Sequence, residues 1–423
     1  MTEDWSASGV EALRLRLART KAQEEQLESQ EHALVEPFSP IFVYPIYGEE
    51  ETIFGYKGLD IDYRFASGSL AQYLGVTYED KFPETANVKA DDPEKILYEF
   101  IPPDYTKSLE AFTETVEKDG TSFRPLGERV GAYRIKERGQ NGKGKGKGKS
   151  RAGPILPDRG WELLDLDAAD DEDGVRFEGY WTNWDTPGFK EYHRRMQIFA
   201  LLYIEGASYI DEEDGRWEFV TLFERRKKGD EVSYHFVGYV SFYSFFCWPD
   251  TKRLRLAQFV ILPLYHKRGH GSALYTLCYR NILSRPEISE LTADILSIVE
   301  DPSEAFEDMR DKCDLYTLLS ENALEGIKAP LDRSWTERIR LKYKLADRQF
   351  YRLAEMLLLL TIDPDDEVQQ RAIRLTVKKR LFLFNKEQLM QIEDKDERKA
   401  KLQETFESVR ADYERLTEKF VEA

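Results

Sequence analysis

Cysteine is scarce: only Cys247, Cys278 and Cys313 occur, far apart, odd in number and without a Cys-x-x-Cys pair. That excludes a disulfide framework and a cysteine-based zinc site, and it fits a reducing compartment. No apolar run approaches the roughly 18 residues that a membrane span needs. The opening residues Met1–Gly9 are acidic and polar rather than a signal peptide. The expectation is therefore a protein of the cytoplasm and nucleus with no membrane contact. Positive charge is also short: 61 Lys and Arg stand against 79 Asp and Glu, a formal net charge of −18. An acidic body disfavours nucleic acid as a direct partner and favours basic ones, although the same balance also serves solubility.

What is present is globular text, 41% hydrophobic and 13% aromatic over 423 residues, enough for two or three domains. Leu13–Leu17 alternates apolar and charged residues as a half-buried strand does, and the polar stretch Thr20–Glu31 reads as a surface excursion. Leu59–Phe65 is strand-like, and one α+β unit is expected to about residue 185. Inside it lies a flexible insertion at about 139–175. Its Gly142–Lys149 tract alternates Gly and Lys and cannot bury apolar surface, and it closes on the acidic run Asp165–Asp173. The tract fits a solvated loop or, alternatively, a nuclear-import or nucleic-acid patch.

Residues 186–325 form the second expected unit. Phe189–Glu205 has helical spacing, with Met196, Phe199, Ala200 and Tyr203 on one stripe. Arg216–Phe223, Tyr234–Phe246 and Leu256–Leu262 are expected strands, and a Gly-bearing turn then leads into a helix over Ser272–Ile282. Residues 326–423 read as a separate helical domain. Its last segment carries Leu402, Phe406, Val409, Tyr413, Leu416 and Phe420 at three- and four-residue spacing.

The turn is the stretch with chemistry. Leu256–Leu262 runs into His266-Lys267-Arg268-Gly269-His270-Gly271-Ser272. Glycines two apart before an apolar helix let the chain turn tightly and present successive N–H groups at the positive end of the helix dipole. That arrangement suits a phosphate or pyrophosphate, with Lys267 and Arg268 adding charge. Alone, the pattern is equally a plain strand-to-helix turn. His270 has no suitably spaced second His or Cys, so no metal site is expected.

The turn resembles the Arg/Gln-x-x-Gly-x-Gly/Ala motif of the GNAT acetyltransferases, with His266 at the usual Gln or Arg position. Several stretches occur in order: Phe54–Leu59, Ile101-Pro102-Pro103, Gly188–His193, Ile204–Asp211, Arg216-Trp217, Val237-Gly238-Tyr239 and Glu300-Asp301-Pro302-Ser303. Together they resemble the catalytic subunit of type B histone acetyltransferases. The resemblance implies an α+β GNAT fold with a helical C-terminal domain. It implies acetyl-CoA as co-substrate with no metal, lysines of the newly made histone H4 tail as acceptors with H3 alongside, and a WD-repeat histone-chaperone partner.

The resemblance also implies roles. Glu300 is the general base, helped by Asp301 and Glu205. Phe259, Val260 and Ile261 offer backbone groups to the acetyl and pantetheine arm, and His266 to Ser272 wrap the pyrophosphate. Glu49, Glu50, Glu51, Tyr243, Ser244 and Phe245 hold the histone tail. Each has a plainer role on residue chemistry alone: Glu205 as a solvated carboxylate, Glu300–Ser303 as a helix start, Tyr243 and Phe245 as strand packing. The chain departs from the family in one place. The family's Thr-Ala runs straight into Glu-Asp-Pro-Ser, whereas Thr292-Ala293 is followed here by six further residues, Asp294–Val299. Either Glu300 is delivered to its usual place, or Asp294 keeps the register and stands in for it, or the six residues come from a misread splice junction. A second reading is a histone-binding scaffold that has lost catalysis through this six-residue insertion. A GNAT acting on a small amine is the third reading; an open groove lined by Glu49–Glu51 and Tyr243 favours a peptide.

Overall fold

A computed structural model describes residues 5–83, 88–136, 154–165, 172–293, 303–323, 325–363 and 365–421. The first layer is a three-stranded sheet of β1 (Leu13–Ala18), β2 (Asp60–Ala66) and β3 (Gln72–Thr77), with β1 parallel to β2 and β3 antiparallel to it. The expected alternation in β1 is present, with Leu13, Leu15 and Leu17 buried. Thr20–Glu31 is not an irregular excursion. It contains helix α1 (Lys21–Gln30), opened by a capping box in which the Thr20 side chain takes the Gln23 N–H and the Gln23 side chain returns to the Thr20 N–H. Two amides that would otherwise lack partners are satisfied reciprocally, and this stabilises a helix with little apolar face. Helix α2 (Leu109–Ser122) packs Phe112 and Val116 under this sheet.

The second layer is a seven-stranded sheet. In chain order its strands are β4 (Glu128–Ile135), β5 (Trp161–Leu164), β6 (Gly174–Asn183), β7 (Trp217–Lys228), β8 (Glu231–Cys247), β9 (Thr251–Ile261) and β10 (Ile288–Thr292). Their order across the sheet is β10-β9-β8-β7-β6-β4-β5, all antiparallel except β9 with β10. This corrects two expectations. The boundary at 185 does not divide the sheet, because β4, β5 and β6 lie before it and pair continuously with β7 after it. The insertion at 139–175 is not structureless throughout: Trp161–Leu164 is an edge strand and Trp161 is buried. The Gly/Lys tract lies outside the described residues.

The stretch expected as one helix is two, α3 (Phe189–Met196) and α4 (Ile198–Tyr203), joined at Gln197. Helix α5 (His270–Ser284) follows β9, and α6 (Glu304–Ser320) starts at Ser303, whose side chain caps the Phe306 N–H. The C-terminal helices are α7 (Arg333–Lys342), α8 (Asp347–Thr361), α9 (Glu367–Phe384) and α10 (Lys395–Thr417). The striped residues Tyr413, Leu416 and Phe420, with Phe350 and Leu353, join the core of the central sheet, while Phe406 packs with Ile373 and Val377 in a second cluster. The helical region is thus fused to the central unit. Buried bonds reinforce that join: Tyr279 donates to the Tyr343 carbonyl at 2.6 Å and Lys344 to the Ile282 carbonyl at 2.8 Å.

A buried charge cluster ties the layers together. Arg19, just after β1, donates to Glu224 on β7 at 2.6 Å and to the Tyr265 hydroxyl at 2.8 Å, and Tyr265 donates to Glu224 at 2.7 Å. Burial pushes the Glu224 carboxyl up, but the guanidiniums of Arg19 and Arg226 outweigh it and hold the group well below the usual carboxylate range. Removing one partner leaves the other charge buried and uncompensated. Glu224→Gln is therefore expected to cost about 3–5 kcal/mol in urea unfolding. Arg19→Met combined with Glu224→Gln should cost less than the two singles summed; strict additivity would show that the pair is not coupled.

Candidate functional site

The site begins where β9 and β10 part. The parallel pair runs from Lys252↔Ile288 to Arg255↔Thr292 and then stops, while β9 continues to Ile261. Among the described residues, Leu256–Ile261 therefore has β8 on one side and no strand on the other. At the parting, Ser241 faces Gln258 and Phe242 faces Leu256, so Ala257 is an extra residue in β9. Such a bulge bends the strand and re-aims the residues after it. Beyond it the two strands lie very close: a Cβ on Gly238 would meet the Val260 carbonyl at 2.1 Å, so only glycine fits there.

A cleft of about 930 Å³ opens at this parting. Its floor is β9 from Arg255 to Phe259 with Tyr243 and Phe245 of β8, and one lip is the loop after α4, Ile204–Asp211. Ala293, at the end of β10, and Ser303, before α6, both line it. The lip is tied from two sides. Tyr44 accepts the Gly206 N–H at 2.6 Å, Tyr209 donates to the Phe100 carbonyl at 2.6 Å, and Gln258 donates to the Ser208 carbonyl at 3.2 Å while accepting from Tyr239.

Glu205 is exposed on this lip, two residues beyond the end of α4. Glu300 and Asp301, and the alternative Asp294, lie outside the described residues. Tyr243 and Phe245 do face the cleft, their rings 4.8 Å apart. Tyr243 donates to Asp214 at 3.0 Å, and Asp214 also takes Arg216 at 2.7 Å. Arg216, then the Tyr243 hydroxyl, hold the Asp214 carboxyl down at about 2, so it is charged at any neutral pH.

Ser244 does not face the cleft. Strand alternation turns it to the other side of the sheet, where it donates to Glu218. Glu51 does not face it either: its carboxylate accepts the Val43 and Tyr44 N–H groups, the latter at 3.0 Å, and so caps the short helix Tyr44–Tyr47. Glu49 and Glu50 are exposed in the intervening turn and do not border the cleft, to which this segment contributes Phe42. Asp214, Trp217 and Gln258 are among the cleft residues that sequence reasoning misses. Asp214 gave no local signal. Trp217 stands in the Arg216-Trp217 pair, and Gln258 is the lone polar residue in the apolar stretch Leu256–Leu262.

The glycine turn lies at the far end of β9. Gly269 takes φ +91° and stands at the N-cap of α5, with no side chain capping the first turn. The amides of His270, Gly271 and Ser272 are then free to receive an anion, and exposed Lys267 and Arg268 stand beside them. These residues fit a pyrophosphate. His266 is turned away from that role: its Nε2–H donates to the Ile261 carbonyl at 2.6 Å and fixes the strand end. The His270 side chain points into the core between Tyr265 and Phe177, and its Nδ1 lies 2.7 Å from the Tyr133 hydroxyl. Its contribution to an anion is limited to its backbone. Phe259 joins the two ends of the site, lining the cleft and standing 3.7 Å from where a Gly271 Cβ would be.

A family model described as the N-terminus of histone acetyl transferase HAT1 matches residues 5–205, and one described as fungal HAT1, C-terminal, matches residues 311–363. A protein of Cryptococcus neoformans named histone acetyltransferase type B catalytic subunit is 46% identical over 98% of this chain and 97% of its own. Proteins of the same name from Mycosarcoma maydis and Yarrowia lipolytica are 44% and 31% identical, covering 98% of this chain and 88% and 92% of theirs.

Burial, more than the neighbouring charges, lowers the His270 imidazole to about 4 from an ordinary 6.5. The unfolded chain takes up the proton first as pH falls, so the stability that neutral His270 contributes is complete above about 6.5 and is lost towards about 4. The His270 ring resonances should stay fixed between about pH 8 and pH 5.5. A titration midpoint near the ordinary value would show that the ring is not held in the core.

Proposed function

The chain belongs to the catalytic subunits of type B histone acetyltransferases, and from that membership we propose that it acetylates lysine side chains in the N-terminal tail of newly made histone H4, with H3 alongside. Acetyl-CoA is the donor in this reading, and a WD-repeat histone chaperone is the partner in the cytoplasm and nucleus. The observation that carries the reading is the pairing of an uncapped, glycine-opened helix start at one end of β9 with an acidic-lipped cleft at its parting from β10.

The chemistry divides along that strand. Bound acetyl-CoA supplies a thioester carbonyl as the electrophile. The first turn of α5, with Lys267 and Arg268, binds its pyrophosphate, and the strand edge Phe259–Ile261 offers backbone groups to the arm. Glu205, Asp211 and Asp214 attract a basic peptide to the cleft, and Tyr243 and Phe245 pack along the lysine's methylenes. The ammonium must lose a proton before it attacks, which costs about 4–5 kcal/mol at neutral pH. A carboxylate in a partly desolvated cleft takes that proton. Glu300 and Asp301 fit this task by position, being three and two residues from Ser303 on the cleft wall. A chain of that length reaches at most about 10 Å, within range of the cleft. The amine then attacks the carbonyl carbon, the C–S bond breaks, and the thiolate leaves with a proton.

Incubation with acetyl-CoA and an H4 tail peptide should give acetyl-lysine, and Glu300→Gln should lower kcat at least 100-fold. A parent chain that binds the peptide without transferring acetyl would be the tail-binding scaffold that the six extra residues raise. Full activity in Glu300→Gln, with loss in Asp294→Asn, would move the base to Asp294. Asp214→Asn removes a cleft charge and releases Arg216. It should raise the peptide KM about three- to tenfold at low salt and less at about 0.5 M, leaving the KM for acetyl-CoA unchanged.

A further inference from the structure

Strand β5 lies in the part of the chain that composition marks as an insertion, yet its Trp161 is among the largest fully buried side chains. The indole sits directly on the glycine turn. A Cβ on Gly269 would meet Trp161 Cδ1 at 2.9 Å, and Gly269 already needs glycine for its φ of +91°. The indole N–H donates to Ser272 Oγ at 2.9 Å, and that hydroxyl in turn donates to the Gly269 carbonyl at 2.9 Å. The Ser272 hydroxyl is therefore engaged within the turn rather than turned to a ligand. The Arg159 guanidinium lies between two rings, 3.9 Å from Trp161 and 4.0 Å from Tyr316 of α6. This cation–ring contact links Trp161 to α6. Tyr133 of β4 grips the next residue, His270.

We propose that β5 is part of the cofactor site, and that Trp161 is a positioning residue that fixes the Gly269–Ser272 turn in the conformation that receives the CoA pyrophosphate. This rests on the acetyl-CoA reading above. A ligand that binds through backbone amides gains most when those amides are aligned beforehand, because the cost of ordering them does not fall on binding. The turn has one residue with φ +91° and another, Lys267, with φ +59°, and its two ends are held by the indole and by the His266 bond to Ile261. Without the indole bond, the Ser272–Gly269 closure loses its outer partner and the amides sample other directions. The effect falls on the cofactor end, since Trp161 and Ser272 do not line the peptide cleft.

The test is acetyl-CoA titration by calorimetry on the full chain, with Trp161→Phe, Ser272→Ala and the double variant, beside hydrogen exchange of the Ala273 amide, which donates to the Gly269 carbonyl at 3.0 Å. Trp161→Phe keeps the ring packing and removes the indole N–H. It should weaken acetyl-CoA binding about three- to tenfold. It should speed Ala273 exchange in the ligand-free chain and leave kcat at saturating acetyl-CoA and the peptide KM within about twofold. The double variant should bind no worse than Ser272→Ala alone, because both changes remove the same bond. Unchanged affinity and exchange in Trp161→Phe would overturn the proposal, as would a loss shared equally by the peptide KM. If the parent chain binds no acetyl-CoA, the functional reading falls, and the exchange measurement still decides whether Trp161 fixes the turn.

Discussion

Arg19, Glu224 and Tyr265 meet in direct hydrogen bonds inside the protein, and the arrangement of the rest depends on that meeting. Arg19 comes from the end of the small sheet, Glu224 from the middle of the central sheet and Tyr265 from the turn that precedes the glycines. Three segments distant in sequence are thereby fixed at one point. A buried ion pair is weak as a source of stability but strong as a constraint, because any arrangement that separates the charges strands one of them in a low dielectric. Tyr265 also forms the edge against which the His270 ring packs, its centroid 5.5 Å away. The glycine turn is thus held from beneath by the same cluster that docks the N-terminal sheet.

The cleft follows from a second constraint, the parting of a parallel pair. β10 stops opposite Arg255, and the bulge at Ala257 bends β9 away from its former line. Beyond the parting, the edge of β9 has no strand partner among the described residues, and it borders the cleft instead. The acidic lip is carried across this opening by a loop tied on one side to the N-terminal unit, through Tyr44 and Phe100, and on the other to the sheet, through Gln258. Neither unit alone would hold Glu205 over the cleft.

How far the sequence revealed this depended on whether a feature was encoded locally. The glycine turn was legible because its geometry is a backbone matter and two glycines before an apolar helix state it outright. β7, β8 and β9 were legible from apolar and β-branched text, although each runs longer than its apolar stretch. The three-residue group Tyr243–Phe245 was read as one contact surface, but alternation along a strand puts Ser244 on the opposite face. The acidic trio was read by charge, and charge does not distinguish Glu50, which is exposed, from Glu51, which caps a helix through its own side chain. Helix α1 carried its signal in the Thr20–Gln23 box, which its polar composition obscured. β5 could not have been read: four residues beside a low-complexity tract form a strand only because β4 offers an edge and Trp161 finds a slot beside Gly269.

That last case bears on how the two ends of the site are related. The cofactor end is rigid because it is built on the core: Tyr133 and Trp161 engage His270, Gly269 and Ser272, and the His266 ring fixes the end of β9. The cleft end sets a strand floor under a lip of loop that bridges two units. Phe259 is placed to sense both, lining the cleft while lying against Gly271 and, with rings 5.3 Å apart, against Phe306 of α6. Because Ser303 caps α6 one turn before Phe306, the start of that helix is fixed on the cleft wall from which the expected carboxylates are only two and three residues away.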